Sequence, residues 1–153
     1  MRTIEQMIQK HRNEGFITDV VIIDYDEEVQ ALRRYKEKRF ESDEVYRNFR
    51  TMCSSYDMIG WMAAQTVRNM EDRKIVTGSN IAEDIGKIRK VTCCISMGKG
   101  DWGDNGIYLY VAAHKTDRMK IGCNIIPDLK RSLIYDREAT TKAMRQAKDD
   151  DDI

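Results

Sequence analysis

The side chains that could do acid–base or nucleophilic chemistry are few: two histidines, His11 and His114, and four cysteines, Cys53, Cys93, Cys94 and Cys123. His114 has the intrinsic proton affinity for general-base work near neutrality. It would need an orienting carboxylate, and Asp117 and Asp101 are the candidates. Phosphoester cleavage by paired His-x-Thr motifs would need a second copy of His114-Lys115-Thr116, which His11-Arg12-Asn13 does not supply. The cysteines have neither disulfide-scaffold density nor zinc-ligand spacing. They read as free thiols of a reducing, cytoplasmic compartment, and no metal site or cofactor is expected.

Two further constellations carry weak chemistry. The segment Gly98-Lys99-Gly100-Asp101-Trp102-Gly103-Asp104-Asn105-Gly106 is glycine-rich. It is not a phosphate-binding P-loop, because a second glycine followed by Lys-Ser/Thr is missing. Nor is it a calcium loop, since the oxygen spacing is wrong and the closing glutamate is absent. It reads as a long hairpin connection, with Trp102 either tucked back or exposed as a protein-docking anchor. Asp24, Asp26, Glu27 and Glu28 form an acidic group, and carboxylates at a helix start, where they favour the dipole, account for it more simply than a divalent ion does.

The surface with most to offer lies between Val91 and Ile126, where apolar and polar residues alternate through three runs. That pattern predicts a three-stranded antiparallel meander with one buried face. Val91, Cys93, Ile95, Met97, Ile107, Leu109, Val111, Met119, Ile121, Cys123 and Ile125 form the apolar face. The other face holds Tyr108, Tyr110, His114, Lys120 and Asn124, with Arg118 at its edge. Tyrosines near cations could stack unpaired bases and hold phosphates; an ordinary strand face explains the same residues, because tyrosine suits strands. A three-residue loop, Lys115-Thr116-Asp117, sets Leu109 opposite Cys123, Val111 opposite Ile121, and the ring of Tyr110 over Gly122. The basic runs Arg33-Arg34-Tyr35-Lys36, Lys38-Arg39 and Lys87 to Lys90 would extend the surface, although interleaved acids also fit a solvated helix face.

The elements that must position these residues are helical in the first half. Thr3-Ile4-Glu5-Gln6 reads as a capping box opening a helix that Gly15 ends. Ile17 to Ile23 is either a strand or the start of the next helix. A helical pattern follows from Asp26 to Phe40. Ser42 would cap a helix of nearly thirty residues running to Met70, bent or broken at Ser54-Ser55 or Gly60. Asn80 to Lys87 suits a short helix, Pro127 interrupts the last strand, and Arg137 to Lys148 reads as a closing helix.

The chain has 153 residues, enough for one ordinary domain, and no apolar run approaches a membrane span. The net charge is zero, yet the chain ends in Asp149-Asp150-Asp151-Asp152-Ile153, without which basic residues exceed acidic ones by four. The expectation is an α+β domain over 1–148, with N-terminal amphipathic helices packed on a C-terminal antiparallel meander and a disordered acidic tail over 149–153. The function class is a small soluble binding protein. One version binds single-stranded nucleic acid through Tyr108, Tyr110, His114, Arg118, Lys120 and Asn124, with the tail tuning access. Another is an inhibitor or adaptor, of viral or mobile-element style, docking through Trp102. A third is a small hydrolase or nuclease using His114.

Overall fold

The computed structural model describes residues 1–66, 70, 72–78, 85–101 and 106–135. The closing helix expected over 137–148, the tail at 149–153 and Trp102 lie outside them. The class is α+β, with few helices and a curled antiparallel sheet of four strands. The chain divides into two compact units, Met1–Val67 with Ile81–Val91, and Arg68–Asn80 with Thr92–Ile153.

In the first unit, helix α1 spans Arg2–Asn13. The capping box does not form: the helix begins two residues earlier, with Met1 as N-cap in place of Thr3 and no side-chain cap bond. The expected stop at Gly15 does form. Gly15 adopts φ +87°, Phe16 N–H donates to His11 O at 2.9 Å, and Gly15 N–H donates to Arg12 O at 3.1 Å. This is the Schellman arrangement, which asks for glycine because a Cβ disfavours that φ.

Strand β1 covers Val20–Ile23, so its β-branched run is a strand. Over 26–37 the expected helix is replaced by a single 3-10 turn at Asp26–Glu28 and an irregular loop, and only 38–40 are helical, as the start of the next helix. Two carboxylates hold that loop. Glu44 Oε2 accepts from Arg33 N–H at 3.3 Å, and Glu41 Oε1 accepts from Tyr35 N–H at 3.2 Å. Satisfying backbone donors from side chains lets the segment forgo a helix of its own. Helix α2 spans Lys38–Tyr56, so Ser42 lies inside it rather than capping it.

The long-helix expectation fails at Asp57, which turns left-handed at φ 55°. The chain then enters β2, Ile59–Met62, which pairs in parallel with β1. The β1–α2–β2 segment is thus a crossover unit, a type of pairing that needs a connection of this length. Gly60 permits the close approach: a Cβ there would lie 2.6 Å from Cys53 Sγ and 2.7 Å from the Phe49 ring. Ile8, Ile23, Phe49, Met52, Cys53 and Met58 form the core beneath. The opposite face of the strand pair, Val20, Ile22, Ile59 and Trp61, is exposed. Helix α3, Ile85–Lys90, packs on α2.

In the second unit β3 (Cys93–Lys99), β4 (Ile107–His114), β5 (Gly122–Asp128) and β6 (Leu133–Tyr135) form one antiparallel sheet in sequential order. Leu109 lies opposite Cys123 and Tyr110 opposite Gly122, as the pattern predicts. The three-residue loop is not what joins these strands. Lys120 N–H donates to Val111 O at 3.0 Å while Val111 N–H donates to Ile121 O at 2.8 Å. Two residues therefore oppose Val111, a bulge whose first residue, Lys120, has φ 62°. The ring over Gly122 is that of Tyr108: a Cβ there would meet Tyr108 Cζ at 2.7 Å. Pro127 does not stop β5, which pairs with β6 through Pro127 opposite Ile134. The β4 ladder ends at Ile125, so proline sits where one edge has no partner strand among the described residues.

Candidate nucleic-acid interface

Each unit brings together one group of cations with aromatic or acidic neighbours. In the first unit, Asp26 and Lys87 meet across the α2 side of the fold. Lys87 Nζ donates to Asp26 Oδ2 at 2.7 Å, and Tyr46 Oη donates to the same oxygen at 3.0 Å. All three side chains are buried, and Lys87 Nζ lies 5.9 Å from the centre of the Tyr46 ring. Asp26 Oδ1 is buried with no hydrogen-bond partner among the described residues. The acidic group of the sequence therefore splits. Asp26 is an interior ion-pair partner, Glu27 pairs with Lys38 at 3.3 Å, and Asp24 stands exposed just past the carboxyl end of β1. The described residues contain no cluster of three or more metal-ligating side chains.

Beside this cluster is a cavity of about 440 Å³, walled by the loop after the 3-10 turn, the start of α2, and Lys87. That volume falls in the usual range for small-ligand sites. Arg33, Arg34, Lys38 and Arg39 line it. Lys38 and Arg39 have acidic neighbours, Glu27 and Glu37, the latter at 2.8 Å. Arg33 and Arg34 are exposed, and neither pairs with a carboxylate among the described residues. The sequence marked these basic runs but gave no reason to separate them from a solvated helix face. The separation comes from the loop, which presents both guanidiniums from an irregular backbone tied to Glu41 and Glu44.

In the second unit the two tyrosines share a face as predicted, with ring centres 6.5 Å apart and planes 25° from parallel. That face is covered. Residues 73–76 cross it: Lys99 N–H donates to Arg73 O at 2.9 Å, and Ser96 Oγ donates to Val76 O at 2.6 Å. A Cβ on Gly98 would lie 2.2 Å from Lys74 O, so only glycine admits this crossing. Tyr110 is 9% exposed, and Lys74 Nζ sits 4.8 Å above the Tyr108 ring. Lys74 also pairs with Asp101, and Asn124 holds Asp101 twice, Oδ1 accepting from its N–H at 3.1 Å and Nδ2 donating to Oδ2 at 3.2 Å. Hydrogen bonds from Lys74 and then Asn124 hold the Asp101 carboxyl below the ordinary range. By contrast Ile95, Met97 and Ile121 on the face expected to be buried are exposed. The alternation is real, but the cover lies on the tyrosine side.

Arg118 and Lys120 remain open at the β4–β5 turn. His114 Nδ1 accepts from Asp117 N–H at 2.9 Å and Thr116 N–H at 3.3 Å. In the neutral ring the other nitrogen then carries the proton. The lone pair that a general base would use is thus committed to the turn. Asp117 does not orient the ring through its carboxylate, whose Oδ1 accepts from Arg118 N–H at 2.7 Å. Among the cysteines, burial raises the Cys94 and Cys53 thiols, while Cys123 is exposed; all four are free. No helix among the described residues is long and apolar enough to cross a membrane.

No family model matches the sequence, and no curated protein matches it. Among solved structures, the chain is similar to one described as the structure of a DnaB-like replicative helicase and its interactions with primase. The TM-score is 0.71 at 14% identity, covering 82% of this chain and 33% of that one. At that identity the likeness is one of fold, and the chain spans about a third of the helicase's length.

Proposed function

We propose that this protein is a nucleic-acid-binding module of the replicative-helicase type, engaging single strands electrostatically. The observation that carries this reading is the loop after the 3-10 turn, whose Arg33 and Arg34 line a cavity and have no carboxylate partner among the described residues. The fold likeness to a replicative helicase supports it. Arg118 and Lys120 form a secondary cationic patch in the second unit. Tyr108, Tyr110, His114 and Asn124 would extend that second-unit patch, with stacking on Tyr110 requiring residues 73–76 to leave. Asp24 lies where open α/β sheets place ligands, beyond the carboxyl end of a parallel strand. It is the carboxylate we expect to face a divalent cation carried by a phosphate ligand.

The test is fluorescence-polarisation binding of labelled single-stranded DNA and RNA at low and high salt. Binding should weaken steeply with salt, because each neutralised phosphate releases counterions. Arg33→Ala with Arg34→Ala should weaken binding and flatten the salt slope by about 1.4 for single strands. Removing residues 149–153 should strengthen binding at low salt, if the aspartates compete for the same cations. Undiminished binding by the double variant would move the interface elsewhere.

A second reading, protein docking, has its own observation. Val20, Ile22, Ile59 and Trp61 form an exposed apolar face on a parallel strand pair, and parallel strands are ordinarily covered on both faces. Trp61 joins Trp102 as a candidate anchor. Loss of partner capture on Trp61→Ala or Trp102→Ala, with nucleic-acid binding absent throughout, would favour it.

A further inference from the structure

The face that β1 and β2 turn away from α2 is apolar and bare. Val20 and Ile22 lie opposite Ile59 and Trp61 in register, and the four side chains are 46–74% exposed. Phe16 and Ile17, which lead into β1, are exposed as well. Parallel strands joined by a crossover helix ordinarily carry a helix on each face, and here α2 supplies one. The two ends of the bare face are acidic. Segments 16–19, 24–26, 57–58 and 63–66, which enter and leave the strands, contain aspartates but no lysine or arginine. Asp19 and Asp57 come to the same end, because Asp19 O accepts from Ile59 N–H at 2.8 Å. Both are exposed, and neither has an ion-pair partner among the described residues.

We propose that this face docks an amphipathic helix of another polypeptide. The apolar stripe of that helix covers Val20, Ile22, Ile59 and Trp61, and lysines or arginines flanking the stripe meet Asp19 and Asp57. This rests on the protein-docking reading and names the partner's chemistry. A helix with apolar residues at i, i+3, i+4 and i+7 supplies the layer that the strand pair lacks. Trp61 is its anchor, since buried aromatic side chains dominate interface energies. Charge selects against the other occupants. A second copy on the same face would bring acidic ends onto acidic ends, whichever way it is turned, and like charges in contact oppose association. A nucleic-acid strand or an anionic lipid surface would meet the same aspartates.

The probes are two labelled synthetic peptides of equal length with leucine at the stripe positions, one with lysine elsewhere and the other with glutamate. Fluorescence polarisation reads their binding to the full chain. We expect the leucine-lysine peptide to bind about fivefold tighter, the scale of one good exposed ion pair. Asp19→Asn with Asp57→Asn should remove that difference, and a difference that survives would overturn the role given to these aspartates. Ile22→Thr with Trp61→Thr, which keeps charge and strand propensity, should weaken binding of both peptides about tenfold or more. Equal binding of the two peptides, lost in the threonine variant, would overturn the basic partner and leave docking at this face intact. No binding of either peptide, or binding that the threonine variant retains, would overturn the helix-docking inference. A dimer that forms with rising concentration and is lost in the threonine variant would give the face to a second copy and overturn it too. If the threonine variant does not fold, hydroxyl-radical footprinting of the unaltered protein decides. Protection of Trp61 by the leucine-lysine peptide is the expected result, and an unprotected Trp61 would overturn the inference.

Discussion

At the scale of single residues, Lys87 and Asp101 show how setting decides the worth of a charge. Lys87 and Asp26 are an interior pair, with side chains 9% and 4% exposed. Removing one member leaves the other charge without its counter-ion in a poor solvent. Lys87→Met should therefore cost about 3–5 kcal/mol of unfolding free energy. Lys90 pairs with Asp43 nearer the surface. Lys90→Met should cost about 1 kcal/mol or less, and urea unfolding of both variants checks the contrast. Asp101 is held in its charged form by Lys74 and Asn124, so its pKa is lower folded than unfolded. Its contribution to stability is present above the unfolded carboxylate value, about 3.9, and is lost as pH falls through the lower folded value. A carboxyl-carbon NMR titration should place the Asp101 midpoint below that of an exposed aspartate, and Lys74→Ala should raise it.

At the scale of elements, two positions decide how strands meet their neighbours. Gly60 brings β2 against α2, and a methyl there would collide with Cys53 and Phe49. Gly60→Ala should destabilise by about 1–3 kcal/mol, the usual cost of overpacking a filled interior. Lys120 opens the β4–β5 bulge at φ 62°. A left-handed non-glycine residue costs roughly 1–2 kcal/mol, so Lys120→Gly should stabilise the hairpin, offset in part by the entropy glycine loses on folding. Thermal unfolding of both variants checks the opposite signs. A strained lysine at a turn beside Arg118 keeps two cations on one hairpin end.

At the scale of the whole molecule, the chain passes between its two units three times, after Val67, Asn80 and Val91. Neither unit is one continuous stretch, so neither can be cut out as a single fragment. We expect 1–148 to unfold in one cooperative transition, with calorimetric and van't Hoff enthalpies equal. Two resolved transitions would mean the units fold independently despite their interleaving. The exposed apolar face of the β1–β2 pair belongs to the first unit alone, and its occupancy by a partner would raise the melting temperature with partner concentration.

Local pattern was enough for those parts of the protein whose partners are close in sequence. The alternation in 107–125 determined the pairing of Leu109 with Cys123 and Tyr110 with Gly122, because a slip by one residue would exchange the two faces. Gly15 announced the end of α1, since a left-handed stop favours glycine. The helical spacing of Val45, Phe49 and Met52 marked the buried side of α2. Tertiary structure alone decided the rest. Alternation says that two faces differ, not which one is covered, and residues 73–76 lie on the tyrosine side. Helical and strand periods overlap in short apolar runs, so Ile59–Met62 continued a helical pattern until pairing with β1 made it a strand. Asp26 and Lys87 are 61 positions apart, and no local period can report an ion pair closed over that distance.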